Sequence, residues 1–144
     1  MDINGIESLA LLDTGASVSL INESLINDQS KRITKFEKAV FDATGNEIPI
    51  IGQLNIKIIV PEGFLNENIL VFRDNNSLKV DIILGMNILG GTKIDFKSRT
   101  VTFSNAKMIE RSNFDGLVIR LLSRNIIDKT GKYITRGIYV QVDV

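Results

Sequence analysis

Apolar residues in this chain fall in short runs, mostly alternating with polar ones and closed by Gly, Pro, Asn or Asp. That is the pattern of strands and turns rather than of long helices. Asn4-Gly5 is a hairpin signal, and Ile6–Leu12 is an apolar run that stops abruptly at Asp13. Thr14-Gly15-Ala16-Ser17 is a tight polar turn, after which Val18–Ile21 resumes a strand. Asn22 can cap a helical turn through Asn27, with Leu25 and Ile26 as its apolar face. Lys35–Phe41 predicts a further strand, Asp42–Asn46 a turn, and Ile48–Val60 a long alternating strand interrupted at Pro49 and Gly52. Beyond the break at Pro61-Glu62-Gly63, Ile69–Phe72 and Val80–Leu84 predict short strands separated by the polar loop Arg73–Ser77. Met86–Leu89 allows a short helix before Gly90-Gly91. Ile94–Phe96 and Arg99–Phe103 predict a hairpin around Lys97-Ser98.

Many short strands with one short helix predict an all-β, barrel-like domain. Its boundary falls near Ser104. Residues 1–103 carry 10 Lys/Arg against 13 Asp/Glu, whereas residues 104–144 carry 7 against 4, so the last forty residues differ in charge. Leu117–Ser123 and Lys132–Val142 read as strands around a loop centred on Asp128–Gly131. The pattern fits either an extension of the domain or a connector toward a downstream one.

Composition then narrows the chemistry. The 144 residues suit one domain, with or without an appendage, and 44% apolar with 24% charged residues is ordinary for a globular protein. Net charge is zero, giving no general attraction to nucleic acid or an anionic membrane. No apolar run approaches a membrane span, and no charged-then-apolar leader opens the chain. With no Cys and no His, thiol nucleophiles, Ser-His-Asp triads, disulfides and Cys/His zinc sites are excluded. Catalysis would rest on carboxylates, Lys, Tyr or hydroxyls, with no cofactor or metal expected.

Among carboxylates, Asp13 stands out because it ends an apolar strand, where burial normally excludes a charge. Asp13-Thr14-Gly15 is also a good turn sequence in its own right, since Asp accepts backbone N–H groups and Gly tolerates positive φ. A second motif shifts the balance. Val80-Asp81-Ile82-Ile83-Leu84-Gly85 follows about seventy residues later, with a Gly-bearing hairpin, Ala43-Thr44-Gly45-Asn46, between them. Together these stretches resemble the retropepsins, the retroviral-type aspartic proteases, and most closely those of gypsy-class LTR retrotransposons. The resemblance runs through Ala10–Ile21, Ala43–Leu54, Asp81–Leu89 and Ile94–Phe103, and covers roughly residues 6–103.

That resemblance implies a retropepsin-like barrel with one short helix and a β-rich C-terminal extension. It implies Asp13, Thr14 and Gly15 as the catalytic triplet, with Thr14 bracing the two loops and Gly15 admitting the substrate backbone. Ala16 and Ser17 would line the cleft, and Ala43, Thr44 and Gly45 would form the tip of a flap. Ile50, Ile83 and Leu84 would contribute to substrate binding, Leu84 also packing with Gly85 against the catalytic loop, although plain core packing explains the two Ile residues at least equally well. Asp81 lacks the Thr-Gly that would make it a second catalytic carboxylate, so a homodimer would supply the other Asp13. Vertebrate retroviral enzymes pair an acidic residue with an Arg where this chain has Ser17 and Met86. Both partners are missing together, so no charge is orphaned. Residues 104–144 are candidates to replace or extend the interface sheet that the family builds from chain termini.

The function implied is aspartic endopeptidase activity on the chain's own Gag-Pol-like polyprotein, in the cytoplasm or within virus-like particles. The domain would bind neither nucleic acid nor membrane. The alternative is a non-catalytic retropepsin-like dimerisation or peptide-binding module, against which the intact Asp13-Thr14-Gly15 argues.

Overall fold

The computed structural model describes residues 5–26, 32–74, 78, 80–108, 114, 116–129 and 135–143. Among the described residues twelve strands form in chain order: β1 Gly5–Leu12, β2 Leu20–Asn22, β3 Val40–Phe41, β4 Glu47–Ile48, β5 Ile50–Val60, β6 Gly63–Phe72, β7 Ile82–Leu84, β8 Thr92–Asp95, β9 Thr100–Phe103, β10 Leu117–Leu121, β11 Ile127–Lys129 and β12 Thr135–Asp143. The helix α1 is Met86–Leu89. One sheet runs β1-β7-β2-β6-β5-β10-β12-β11, and β12 also pairs with β1. The additional pairing closes seven strands into a barrel and leaves β11 as an outer strand on β12.

Register explains how the sequence fills this barrel. Ala10 lies opposite both Ile82 and Ile138, and all three point inward to the main core. Leu54, Ile56, Ile58 and Val60 on β5, Ile69 and Val71 on β6, Leu117 and Ile119 on β10, and Val140 and Val142 on β12 join it. Each such side chain contributes about 1.5–3 kcal/mol by leaving water. The alternate positions of β2, β6 and β7 do something different. Leu20, Leu70, Phe72 and Ile83 form a second apolar cluster outside the barrel, together with Ile48. Phe36, Val40 and Ile50 cover it, so the short β3–β4 hairpin is seated on the outer face of β2, β6 and β7.

Several expectations shift when the partners are known. The strand expected at Ile69–Phe72 begins at Gly63, because the ladder to β5 runs through Asn66, Glu67 and Asn68 despite their polarity. The strand expected over Lys35–Phe41 is reduced to Val40–Phe41. Only those residues pair, with Glu47–Ile48, apart from an isolated bridge between Thr34 and Gln53. Pro49 divides the long Ile48–Val60 stretch, and a bulge follows at Ile50/Gly52. Gly52 is obligatory there, since a Cβ would stand 2.4 Å from the Thr34 carbonyl oxygen. Asn4 lies outside the described residues, while Gly5 is already paired with Asp143. The loop centred on Asp128–Gly131 is only partly described.

Residues past Ser104 provide β10 and β12, two of the seven barrel strands. β10 runs parallel to β5, with Ile119 beside Ile58, and β12 runs antiparallel to β1 from Gly137 to Asp143. Among the described residues no helix is long and apolar enough to cross a membrane.

Candidate active site

The Asp13 loop connects two strands that do not touch each other. β7 lies between β1 and β2, parallel to the first and antiparallel to the second, so the chain leaves β1, loops over the end of β7 and returns as β2. Because Asp13 directly follows the last β1 residue, it emerges at the rim of the barrel, half-exposed, with Thr14 and Gly15 exposed.

The loop is fixed mainly by its neighbour strand. The Asp13 N–H donates to the Leu84 carbonyl at 3.0 Å, and the Met86 N–H donates to the Ala16 carbonyl at 2.7 Å. Inside the loop, the Ala16 N–H donates to the Asp13 carbonyl at 3.2 Å. The Gly15 N–H donates to Asp13 Oδ1 at 3.0 Å. That is the Asx geometry expected of Asp-Thr-Gly. Gly85 makes the close approach possible: a Cβ there would lie 2.1 Å from the Val18 carbonyl oxygen and 2.8 Å from that of Ala16. The apolar-apolar-Gly pattern of residues 83–85 thus has a steric reason.

The remaining residues singled out from sequence divide into groups. Ala16 and Ser17 lie in the loop itself, half-exposed and exposed respectively. Ile50 and Ile83 belong to the outer apolar cluster, with Leu11 and Val18 from either side of the loop packed against it. Leu84 faces the barrel interior at 3% exposure and presents only its carbonyl to Asp13. Ala43, Thr44 and Gly45 form the exposed turn between β3 and β4, with Gly45 at φ +89°. Asp81 lies at the opposite end of β7 from Leu84, where its Oδ1 accepts from Asn22 Nδ2 at 3.2 Å. It is no part of the Asp13 loop.

Three residues that sequence reasoning passed over also act here. Asp42 organises the β3–β4 turn: its Oδ1 accepts from the Thr44 N–H at 2.9 Å, the Thr44 hydroxyl at 2.6 Å and the Asn46 N–H at 3.0 Å. The Thr44 hydroxyl bond, with the backbone N–H groups behind it, holds the Asp42 carboxyl below its ordinary value. Its signal was the Asp-x-Thr-Gly-Asn string, an Asx-turn sequence. Ser19 and Asn87 are joined at 2.6 Å beside Gly85. A serine inside the apolar run Val18–Ile21 was the only sequence sign of that pair.

A shallow pocket of ≈ 200 Å³ opens at the base of the β3–β4 hairpin, lined in part by Phe36, Val40, Glu47, Ile48 and Ile50. Asp13 does not line it. Among the described residues no three Asp or Glu side chains gather into a metal-binding group.

A family model described as "gag-polyprotein putative aspartyl protease" matches residues 1–91. In fold the chain is similar to the crystal structure of the retroviral protease-like domain of Ddi1 from Leishmania major. The TM-score is 0.50 at 18% sequence identity, over 72% of this chain and 91% of that one. No curated protein is similar enough in sequence to match.

Proposed function

The chain belongs to the gag-polyprotein aspartyl protease family, and on that premise we propose that it is a homodimeric endopeptidase whose active site is built from two copies of Asp13. The observation that carries this reading is the state of the Asp13 loop. Its backbone is anchored from outside by Leu84 at the end of β7 and Met86 at the start of α1, while its carboxylate, at the barrel rim, accepts from Gly15 alone among the described residues.

Two such loops meeting across a two-fold axis bring their carboxylates within about 3 Å, where both cannot ionise, so they hold one proton between them. The ionised member takes a proton from a water as its oxygen attacks the scissile carbonyl carbon, and the protonated member gives its proton to the carbonyl oxygen. The resulting tetrahedral diol collapses as one of its hydroxyls gives its proton to the now ionised carboxylate, the C–N bond breaks, and the carboxyl that took the water's proton passes it to the amine nitrogen. Each Thr14 braces the partner loop, and Gly15 lets the peptide backbone approach. The Asp42–Asn46 hairpin tip serves as a flap that shields the reacting groups from water. Ala16 and Ser17 line the cleft, and the Ile50–Ile83 cluster offers apolar walls for substrate side chains. The substrate in this reading is the polyprotein from which the chain derives, cut in the cytoplasm or within an assembling particle.

The test is incubation of the wild-type chain and its Asp13→Asn variant with the flanking polyprotein. Wild type is expected to cleave and the variant to leave the polyprotein intact, with an acidic optimum. A dimeric wild type that cuts no peptide between about pH 4 and 7 would contradict the reading and leave a peptide-binding module in its place.

A further inference from the structure

Three consecutive residues at the β7–α1 junction hold the Asp13 loop. The Leu84 carbonyl accepts from the Asp13 N–H and the Met86 N–H donates to the Ala16 carbonyl, both backbone to backbone. The middle contact differs. The Gly85 N–H donates to a side chain, Ser19 Oγ, at 2.9 Å.

Ser19 is 1% exposed, and its hydroxyl both donates and accepts. It accepts from Gly85 and donates to Asn87 Oδ1 at 2.6 Å. Asn87 Nδ2 passes the connection to the Asn68 carbonyl at 2.8 Å and toward Glu67 Oε1 at 3.4 Å. The amide orientation is forced, because the Asn68 carbonyl can only accept. The ring closes through the backbone, where the Leu70 N–H donates to the Ser19 carbonyl at 2.9 Å. One circuit, buried at Ser19 and Gly85 and reaching the surface at Asn68, therefore joins the far end of the Asp13 loop, the first turn of α1 and strand β6.

We infer that Ser19 and Asn87 are positioning residues for the Asp13 carboxylate, acting through the Gly85 peptide. The inference rests on the reading of Asp13 as catalytic and adds how its loop is aimed. The close approach of Gly85 to the Val18 and Ala16 carbonyls means that its peptide cannot tilt without moving the loop backbone. Its neighbour Leu84 holds the Asp13 N–H, so a tilt is passed to the carboxylate. A shared-proton pair tolerates little such movement, since a misplacement of about 1 Å can cost on the order of 100-fold in rate. Removing the Ser19 hydroxyl leaves the buried Gly85 N–H and Asn87 Oδ1 without their partner, and the peptide turns to find another.

The test compares Ser19→Ala and Ser19→Thr with wild type in the full chain, by peptide cleavage and by residue-resolved amide hydrogen exchange. Ser19→Ala is expected to lower kcat about 10- to 100-fold with KM little changed. Exchange protection should fall at Gly85, Met86 and Asp13 while β5 and β6 amides keep theirs. Ser19→Thr, which retains the hydroxyl, is expected to recover both readouts. A Ser19→Ala variant with wild-type kcat and wild-type protection of these amides would overturn the inference. So would a uniform loss across the barrel, which is the mark of a merely stabilising residue. Should wild type itself show no cleavage, the catalytic reading fails on that arm alone, and the exchange pattern still decides whether the circuit holds the loop.

Discussion

The chain contains two turns made of nearly the same residues, Asp13-Thr14-Gly15 and Asp42-Ala43-Thr44-Gly45, and they are held in opposite ways. At the second, the carboxylate does the holding. Asp42 Oδ1 accepts two backbone N–H groups and the Thr44 hydroxyl, and a second backbone bond from the Gly45 N–H to the Asp42 carbonyl tightens the turn. At the first, the β7–α1 junction does most of the holding, and among the described residues the carboxylate keeps one partner, Gly15. An Asp saturated with donors is a clamp whose charge is already used. An Asp whose loop is held by other groups has acceptor capacity left for a partner carboxylate and a water. The motif alone does not separate these two cases; the source of the loop's hydrogen bonds does.

The largest expected effect breaks the first turn's chemistry without breaking its fold. Asp13→Asn keeps the shape and the Gly15 bond, so thermal unfolding and dimer formation should change little while cleavage falls by about 10⁴-fold. Gly85→Ala comes next, because its methyl would collide with the Val18 carbonyl, a rigid backbone atom. Overpacking of this kind costs about 1–3 kcal/mol, seen as a lower urea midpoint, and cleavage should fall with it as the loop is displaced. Asp42→Asn is milder, removing charge from an exposed clamp while keeping an acceptor. A rise in KM with kcat nearly preserved is expected from peptide kinetics.

The smallest effect is a pH dependence that should separate the two turns. The Asp42 carboxyl is held below its ordinary value of 3.8. Its contribution to order is therefore complete above that ordinary value and is lost as pH falls through the depressed one. Protection of the Thr44 and Asn46 amides should drop in that acidic window. The Asp42→Asn variant should show no such step. The Asp13 N–H, which donates to the Leu84 carbonyl, should not share it.

Much of this was legible in the sequence, for reasons that also mark where legibility ends. Alternation assigns faces, so the inward positions of β5 and the abrupt end of β1 at Asp13 were visible. So was the cap at Asn22, whose side chain accepts from the Ser24 N–H ahead of a 3-10 turn at Glu23–Leu25. The short helix after Gly85 was visible too. Alternation does not name partners. β6 looked four residues long because Asn66, Glu67 and Asn68 are polar, yet the ladder to β5 carries it through them. The pairing of Gly5 with Asp143 joins residues from opposite ends of the sequence, and no local pattern encodes such a contact. At the site, Asp13-Thr14-Gly15 could be read as a motif because Asp and Gly mark an Asx turn, and Ile83-Leu84-Gly85 because glycine at a close approach leaves a fixed signature. Ser19 and Asn87 could not, since a buried hydroxyl and an amide become meaningful only when the fold brings them to 2.6 Å.

The central claim is that Asp13 is half of a site, and subunit mixing tests it most directly. Wild-type chain is unfolded and refolded together with Asp13→Asn chain in varying ratio at constant total concentration, and peptide cleavage is measured. If both carboxylates are required, activity follows the square of the wild-type fraction, about one quarter at an equal mixture for random two-fold pairing. Activity that falls in simple proportion, to about one half, would mean that each chain works alone, and would contradict the account.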